Sequence, residues 1–198
     1  YFDIEEGRQT KVQTIRFSGN TFASENTLKG EIKTKEQSLF QSGIFKESQL
    51  ENDTQAIEEY YRSRGFIDAE VEEVTREVVE KEENRNLLTL TFYIKEGSRW
   101  SFGGIRFEGN TLYSNAQLRE KISLQEGDTL NLAQLERDFT KVSDLYYNDG
   151  YIFNSIDREE QRNEEQNTVS YTVRIEERGR AHIENIIVKG NEKTKDRV

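Results

Sequence analysis

Carboxylates are the most abundant reactive side chains in this sequence, with 38 Asp and Glu residues among 198. Paired carboxylates can act as general acid and base or hold a divalent cation, but both roles need a particular setting. No Asp-x-Asp-x-Asp-Gly calcium loop occurs, and no carboxylate pair stands out from a charged surface. The single histidine, His182, has no Cys or second His to join it and is expected to be structural or solvated. The sequence therefore predicts no catalytic residue, no metal site and no cofactor.

The charge and composition exclude several classes of protein. The formal charge is −10, which argues against binding to nucleic acid phosphates and against a general attraction to anionic lipid. There is no Cys for disulfides or thiol chemistry, and no apolar run approaches the ~20 residues that span a bilayer. Because the chain also lacks Met, we expect it to be a piece of a longer precursor.

A short segment recurs along the chain and organises it. "IRFSGNT" occupies residues 15–21, "IRFEGNT" occupies 105–111, and a weaker copy, "IIVKGNE", occupies 186–192. In each copy β-branched and aromatic residues predict a strand, and Gly-Asn predicts a turn. The predicted turn residues are Gly19, Asn20, Gly109, Asn110 and Gly190. Recurrence at this spacing indicates tandem modules.

The first copy continues into two helices and two strands. Ser24 is the predicted cap of a first helix, and Ser48 with Glu51 predicts a capping box for a second one. Gly65 is the predicted end of that second helix. Alternating apolar residues then predict strands over 66–74 and 87–94.

The second copy repeats these steps. Ser114 and Asn131 are the predicted helix caps, and Gly150 is the predicted end of the second helix. Strands are predicted over 151–156 and 168–175. The linker between the two helices is five residues longer in the first copy than in the second.

These elements predict an α+β fold of tandem β-α-α-β-β modules. Each module is expected to be a three-stranded mixed sheet covered on one face by an antiparallel helix pair. The predicted divisions are the last strand of a preceding module, two complete modules and the start of a following one, at 1–8, 9–97, 98–178 and 179–198. The acidic clusters at 70–83 and 157–165 are expected to be solvated strand ends and turns.

The predicted joints between modules contain Gly97, Trp100, Phe102 and Gly179. Trp100 has two possible roles. It could pack with Phe102 into the core of the second module, or it could fill the contact between modules and set their angle. The sequence does not decide between the two.

The pattern resembles a known family. The segments "EEYYRSRGFIDAEV" (58–71) and "SDLYYNDGYIFNSI" (143–156), with Gly-Asn after the first strand and a closing Glu-Gly, resemble POTRA domains of BamA-type outer-membrane assembly factors. The longer first linker is similar to that of the third repeat in such arrays, so the two modules resemble repeats three and four. The segment "EERG" (176–179) departs from the closing Glu-Gly.

The resemblance implies a non-enzymatic scaffold in the periplasm, attached to the outer membrane through a C-terminal β-barrel of the same parent chain. Its expected partners are unfolded outer-membrane β-barrel precursors and accessory lipoproteins, with no nucleic acid. A translocation or secretion barrel with another client is the alternative. An enzyme or ligand-binding ectodomain with the repeats as a stalk is disfavoured, because neither copy carries a polar cluster that the other lacks.

In such arrays the third strand is expected at the sheet centre and the second at an edge, where it can accept an extended client chain by β-augmentation. The opposite interpretation is an edge whose charges, such as Asp68, Glu70 and Glu72, exclude pairing. The candidate client-binding residues are Ile67, Ala69, Val71, Glu72 and Val74 in the first module, and Ile152, Phe153, Asn154 and Ile156 in the second.

Overall fold

The computed structural model describes residues 9–81, 85–182 and 184–185. The first module consists of β1 (Gln9–Ser18), α1 (Glu25–Glu31), α2 (Glu47–Arg62), β2 (Glu70–Lys81) and β3 (Arg85–Lys95). The second consists of β4 (Ser101–Glu108), α3 (Asn115–Arg119), α4 (Leu132–Asn148), β5 (Ser155–Asn163) and β6 (Thr168–Glu176). The predicted preceding strand (1–8) and the repeat around Gly190 lie outside the described residues.

Each module contains one mixed three-stranded sheet. The strand orders are β1-β3-β2 and β4-β6-β5. The central strand is parallel to the first strand of its module and antiparallel to the second. The predicted fold class is therefore confirmed, with the third strand at the centre of each sheet.

The helices cover one face of each sheet and form two separate cores. In the first core, Leu28, Ile57 and Tyr61 pack with Leu90 and Phe92 of the central strand. In the second core, Leu118, Val142 and Tyr146 take the corresponding places. The recurring sequence pattern thus produces two copies of one small hydrophobic core.

Most helix caps follow the sequence, with one exception. The side chains of Ser24, Ser114 and Asn131 each accept a hydrogen bond from a first-turn amide, and Ser114 forms a full capping box with Gln117. The capping box predicted at Ser48 is wrong, because α2 already begins at Glu47 after Lys46. Phe45, just before α2, is half-buried and packs against the core. The helix therefore begins earlier than the sequence pattern predicted.

The predicted start of each second strand is also wrong. β2 begins at Glu70 and β5 at Ser155. The preceding residues form turns, closed by main-chain hydrogen bonds from Ala69 to Phe66 (3.0 Å) and from Asn154 to Tyr151 (3.3 Å). The alternation of apolar residues arose from these turns, not from an extended chain.

Most of each acidic segment lies within β2 or β5, which the sequence did not predict. Glu164 and Glu165 form a turn as predicted, and residues 82–83 lie outside the described residues. In β5 only Ile156 is an apolar residue on the helix side. Further along, Arg158 lies over the ring of Phe139 (4.6 Å), and Glu160 accepts a hydrogen bond from the Tyr171 hydroxyl. Long polar side chains therefore cover the core with their stems, so the strand lacks an apolar alternation.

Candidate functional site

The linker between the helices covers the N-terminal part of the outer edge of the first strand in both modules. In the first, the linker between α1 and α2 pairs with β1 through hydrogen bonds from Val12 to Gly43 and from Phe45 to Thr10. In the second, the shorter linker pairs with β4 through bonds from Phe102 to Asp128 and from Leu130 to Trp100. Client pairing along these covered stretches would first require displacement of the linker.

The opposite edges have no such cover. Among the described residues, β2 and β5 make no main-chain to main-chain hydrogen bond except within their own sheets. The structure places the predicted binding residues Val71, Glu72 and Val74 in β2, and Ile156 in β5. The second strand is thus the open edge of each sheet.

The other candidate residues do not lie on an open edge. Ala69 is buried in the first core, and Ile67 packs into the core of the second module. Ile152 and Phe153 are half exposed in the turn before β5, and Asn154 donates its side-chain amide to the Tyr151 carbonyl. These five residues form turns beside the joints instead of a pairing surface.

The two open edges differ in regularity. Bulges interrupt the pairing of β2 with β3 between Val71 and Glu73 and between Val78 and Glu80. β5 pairs with β6 without a shift over its 9 residues. Since bulges twist a strand and interrupt its ladder, β5 offers the longer uninterrupted edge.

A groove lies between each open strand and the neighbouring helix. The groove between α2 and β2 has a volume of about 540 Å³ and a polar lining that includes Glu47, Glu51 and Glu73. The groove between α4 and β5 is about 370 Å³, and Leu132, Leu135, Phe139 and Tyr171 contribute to its lining. The second groove is therefore the more apolar of the two, while the lining of the first combines four glutamates with Leu50, Val71, Val74 and Arg76.

Trp100 belongs to the second core and also contacts the first module. Its side chain belongs to the core of the second module, together with Phe102. Its indole N–H donates to the Asp68 carboxylate of the first module (3.1 Å), and its main-chain N–H donates to the Gly65 carbonyl (2.8 Å). Asp68 also pairs with Arg162 of β5 (2.7 Å). Trp100 therefore connects the two modules while it fills one core.

The other predicted joint and turn residues lie at the ends of the two modules. Gly97 adopts a φ of 69°, and the corresponding position in "EERG" is Arg178, with a φ of 49°. The departure in the sequence is thus an arginine in a left-handed conformation, followed by the exposed Gly179. The predicted turn residues Asn20 and Asn110 donate their side-chain amides to the carbonyls of Ala23 and Tyr113. Gly19 and Gly109 both have positive φ angles.

Two buried or half-buried glutamates beside the joints were missed from the sequence. Glu96 accepts hydrogen bonds from the Phe22 amide and the Tyr61 hydroxyl (2.8 Å each) and from the Thr21 hydroxyl. Burial raises the pKa of Glu96, but these hydrogen bonds outweigh burial and hold the pKa below its ordinary value. In the sequence, Glu96 is part of the Glu-Gly that closes the module. That pattern predicts a module boundary but not a buried carboxylate.

Glu177 is the counterpart in the second module. It accepts from the amides of Thr111 (2.7 Å) and Leu112 (2.9 Å) and from the Tyr146 hydroxyl (3.3 Å). Burial again raises the pKa, and the hydrogen bonds from Thr111 and Leu112 lower it further than burial raises it. Both glutamates therefore tie the end of the central strand to the turn after the first strand.

A pair of buried aspartates was missed as well. Asp53 accepts from the amides of Lys33 (2.8 Å) and Thr34 (3.1 Å), and Asp138 accepts from the Ser123 amide (2.8 Å). Each holds the start of the linker onto the second helix of its module. Their place in polar helix segments, "ENDTQ" and "ERDFT", offered no signal of burial.

Within residues 9–81, 85–182 and 184–185, no group of three His, Asp or Glu side chains could hold a metal ion. None of the helices in that part of the chain has the length and apolar character needed to cross a membrane.

Comparison with known proteins identifies the repeats. The model of the POTRA family, described as a surface antigen variable number repeat, matches residues 10–97 and 101–178. A Treponema pallidum (strain Nichols) protein, provisionally named an outer membrane protein assembly factor, is 41% identical over all 198 residues, which cover 24% of its length. The outer membrane protein assembly factor BamA of Nitratidesulfovibrio vulgaris is 28% identical over 99% of this chain and 25% of its own.

Solved structures share the architecture. The crystal structure of POTRA domains 3–5 of Haemophilus influenzae BamA superposes with a TM-score of 0.68 at 20% identity, covering 89% of this chain and 70% of that one. That likeness shows the fold. This chain spans about a quarter of the length of the curated relatives it matches. Because the two segments that the family model matches coincide with the two modules, the chain belongs to the POTRA family.

Proposed function

We propose that the two modules form a periplasmic scaffold that binds extended segments of unfolded outer-membrane protein precursors along β2 and β5. A client strand would pair with the open edge by β-augmentation, and side chains of the client would enter the adjoining groove. The modules would correspond to repeats three and four of a parent chain whose C-terminal β-barrel receives the client. No catalytic step is part of this function.

One observation carries the proposal. In both modules the helix linker pairs with the first part of the first strand, whereas the second strand has no main-chain partner on its outer side among the described residues. Main-chain pairing is largely independent of side-chain identity, which suits a surface that handles many different precursors. Similarity to outer membrane protein assembly factors indicates the class of client.

The charges of β5 suggest which client segments it prefers. Its side chains alternate, so Arg158 and Glu160 face the helices and Asp157, Glu159 and Gln161 face the other way. A client strand with Lys or Arg at alternate positions would pair favourably with Asp157 and Glu159, although Arg174 already pairs with Glu159 (2.7 Å). The charged edge thus selects among strands instead of excluding all of them.

The turn residues beside the second joint would have another role. Ile67 reaches from the corresponding turn of the first module into the core of the second. By the same geometry, Ile152 and Phe153 would contact a following repeat, not a client. Accessory lipoproteins are further partners that the resemblance implies, and we assign them no surface on these two modules.

Crosslinking in cells tests the proposal. A photoreactive residue would replace Glu159 in β5 or Glu72 in β2 of the full parent chain, and Gln13 on the covered strand β1 would serve as the matched control. We expect adducts with outer-membrane precursors from the two open edges, with β5 giving the higher yield, and few from residue 13. Equal yields at all three positions would show that clients do not prefer the open edges. No adducts from a parent chain that still supports assembly would show that clients bind elsewhere.

The same experiment separates the alternative. A translocation or secretion barrel would use the same edges for other clients. Adducts from Glu159 and Glu72 that contain secreted proteins instead of outer-membrane precursors would assign the modules to that function.

A further inference from the structure

The longer linker of the first module presents two large apolar side chains to solvent. Leu39 and Phe40 are each 96% exposed, at the tip of a turn formed by residues 38–41. We call these four residues the linker tip. Their exposure contrasts with the neighbouring Phe45, which packs against the first core. The fold of the module thus leaves Leu39 and Phe40 without a partner among the described residues.

The linker tip is held in place by hydrogen bonds. The amides of Ser38 and Gln41 donate to each other's carbonyls (3.0 and 3.4 Å). On either side of the tip, Gln37 donates to the Val12 carbonyl (2.7 Å), and Val12 donates to that of Gly43 (2.8 Å). The two apolar side chains are therefore displayed by a turn that is anchored to β1.

Lysines surround the base of the linker tip. Lys33, Lys35 and Lys46 line a pocket of about 280 Å³ that also contains Gln41 and Gln49. The Lys35 ammonium donates to the carbonyls of Lys29 and Ile32 at the end of α1 (2.6 Å each). Lys33 and Lys46 are exposed and form no ion pair within the described residues. The pocket is thus cationic on a chain whose net charge is −10.

The second module lacks this feature. The chain from Leu118 to Tyr146 is five residues shorter than the matching stretch from Leu28 to Tyr61. Its linker turns tightly, with the Asp128 amide donating to the Gln125 carbonyl (3.0 Å). That turn contains Glu126 and Asp128, and no large apolar residue stands beside them. The second module thus forms its core and its helix caps without such a projection.

We propose that the linker tip docks the first module onto an anionic phospholipid bilayer. Leu39 and Phe40 would enter the interface between headgroups and acyl chains, while Lys33 and Lys46 would bind lipid phosphates at the pocket. This binding goes beyond client pairing and does not depend on it. The lysines lie at the base and the apolar side chains at the end of the projection, which matches the order of charge and hydrocarbon across a bilayer surface.

A bilayer suits this projection better than a protein surface does. Two side chains on a narrow turn supply little contact area for a rigid partner, since specific protein interfaces bury roughly 800 Å² on each side. A fluid bilayer needs only that apolar side chains enter it and that cations remain at the headgroups. Binding is expected to be weak, because the remaining acidic surface is repelled by the same lipids.

Vesicle sedimentation tests the proposal. The full 198-residue chain would be mixed with vesicles rich in phosphatidylglycerol or made of phosphatidylcholine alone. We expect binding to the anionic vesicles, little binding to the neutral ones, and loss on addition of salt. The double variant Leu39→Ser/Phe40→Ser should bind about a hundredfold less tightly, because each side chain contributes about tenfold through burial. Lys33→Gln/Lys46→Gln should weaken binding about fivefold per lysine.

Controls separate insertion from other effects. The variant Tyr147→Ser removes a half-exposed aromatic ring from α4 and should bind anionic vesicles as the unmodified chain does. Unfolding temperatures of the tip variants should be unchanged, because both side chains are already exposed. The variant Phe40→Trp should show a blue-shifted emission with anionic vesicles only.

Several results would overturn the proposal. These are no binding of the unmodified chain to any vesicle, equal binding of the double variant, or equal binding to neutral and anionic vesicles. Crosslinking of the linker tip to a protein partner, without vesicle binding, would assign the tip to protein docking and would also refute it.

Discussion

The two ends of the second module share one main-chain arrangement but differ in their side chains. At the first joint the Trp100 amide donates to the carbonyl of Gly65, and at the second the Ala181 amide donates to that of Gly150, both at 2.8 Å. A residue with a positive φ, Gly97 or Arg178, precedes each donor by three positions. The backbone therefore makes the same connection after each module.

The side chains at these matched positions have different environments. Trp100 fills the core of the second module, whereas its counterpart is Ala181. Ile67 is 8% exposed because it enters that core, whereas Ile152 is 47% exposed. Asp68 bridges Trp100 and Arg162, and its counterpart is the exposed Phe153. The side chains of Trp100, Ile67 and Asp68 thus supply the contacts of the first joint.

Replacement of Trp100 by Ala, the residue found at the matched position, is expected to have the largest effect. It removes a buried indole from the second core and the hydrogen bond to Asp68, which should destabilise the second module by about 3–5 kcal/mol. Thermal unfolding followed by domain-resolved hydrogen exchange would measure the loss. An equal loss in both modules would show that the indole stabilises the joint more than the core.

Substitution of Gly65 and Gly150, which follow α2 and α4, should affect the two joints to different extents. A Cβ on Gly65 (φ +92°) would lie 2.7 Å from the Trp100 carbonyl oxygen, whereas one on Gly150 (φ +86°) would meet the flexible Arg180 side chain at 3.2 Å. Both changes strain the backbone, so Gly150→Ala should cost about 1–2 kcal/mol and Gly65→Ala about 2–4 kcal/mol. Denaturant titration of the two variants would test this order, which the reverse ranking would contradict.

The isoleucine pair tests the difference in burial directly. Ile67→Ala should destabilise the chain by about 1–3 kcal/mol, because it leaves a cavity in the core of the neighbouring module. Ile152→Ala should change stability by less than about 0.5 kcal/mol, as expected for a surface position. Equal effects in equilibrium unfolding would mean that Ile67 contributes nothing through the joint.

The stability that Glu96 and Glu177 contribute should change with pH in the same direction. The effects should be smaller than that of replacing Trp100. Their pKa values are lower in the folded chain than the ordinary value of 4.5, so the unfolded chain binds more protons below that pH. Stability from these groups is therefore present above pH 4.5 and is lost as the pH falls through the folded pKa.

Replacement of each glutamate by glutamine would test whether these residues cause the loss of stability at acidic pH. Glu96→Gln should cost about 2 kcal/mol at neutral pH and Glu177→Gln about 1 kcal/mol, because Glu96 is the more deeply buried acceptor. Each variant should also lose less stability than the unmodified chain on acidification. Unfolding curves at neutral and acidic pH would measure both quantities, and an unchanged acid slope would remove the glutamates from this explanation.

Much of the module could be predicted from the sequence, because its signals are local. Gly19 and Asn20 mark a turn, Ser114 with Gln117 marks a helix start, and Val169, Tyr171, Val173 and Ile175 mark a central strand. Each of these features depends on residues within a few positions of one another. The repetition of such signals at a spacing of 90 residues was sufficient to predict two modules of one fold.

The tertiary structure alone decided which residues form the open edges and which side chains hold the first joint. β5 lacks an apolar alternation, because Arg158 and Glu160 reach over Phe139 and Tyr171, residues that are distant in the sequence. Glu96 acquires its role only when the chain brings Phe22 and Tyr61 beside it. Ile67 is a core residue of the module that follows it, which no pattern within its own module could show. Burial and hydrogen bonding depend on partners far along the chain, whereas sequence periodicity reports only on near neighbours.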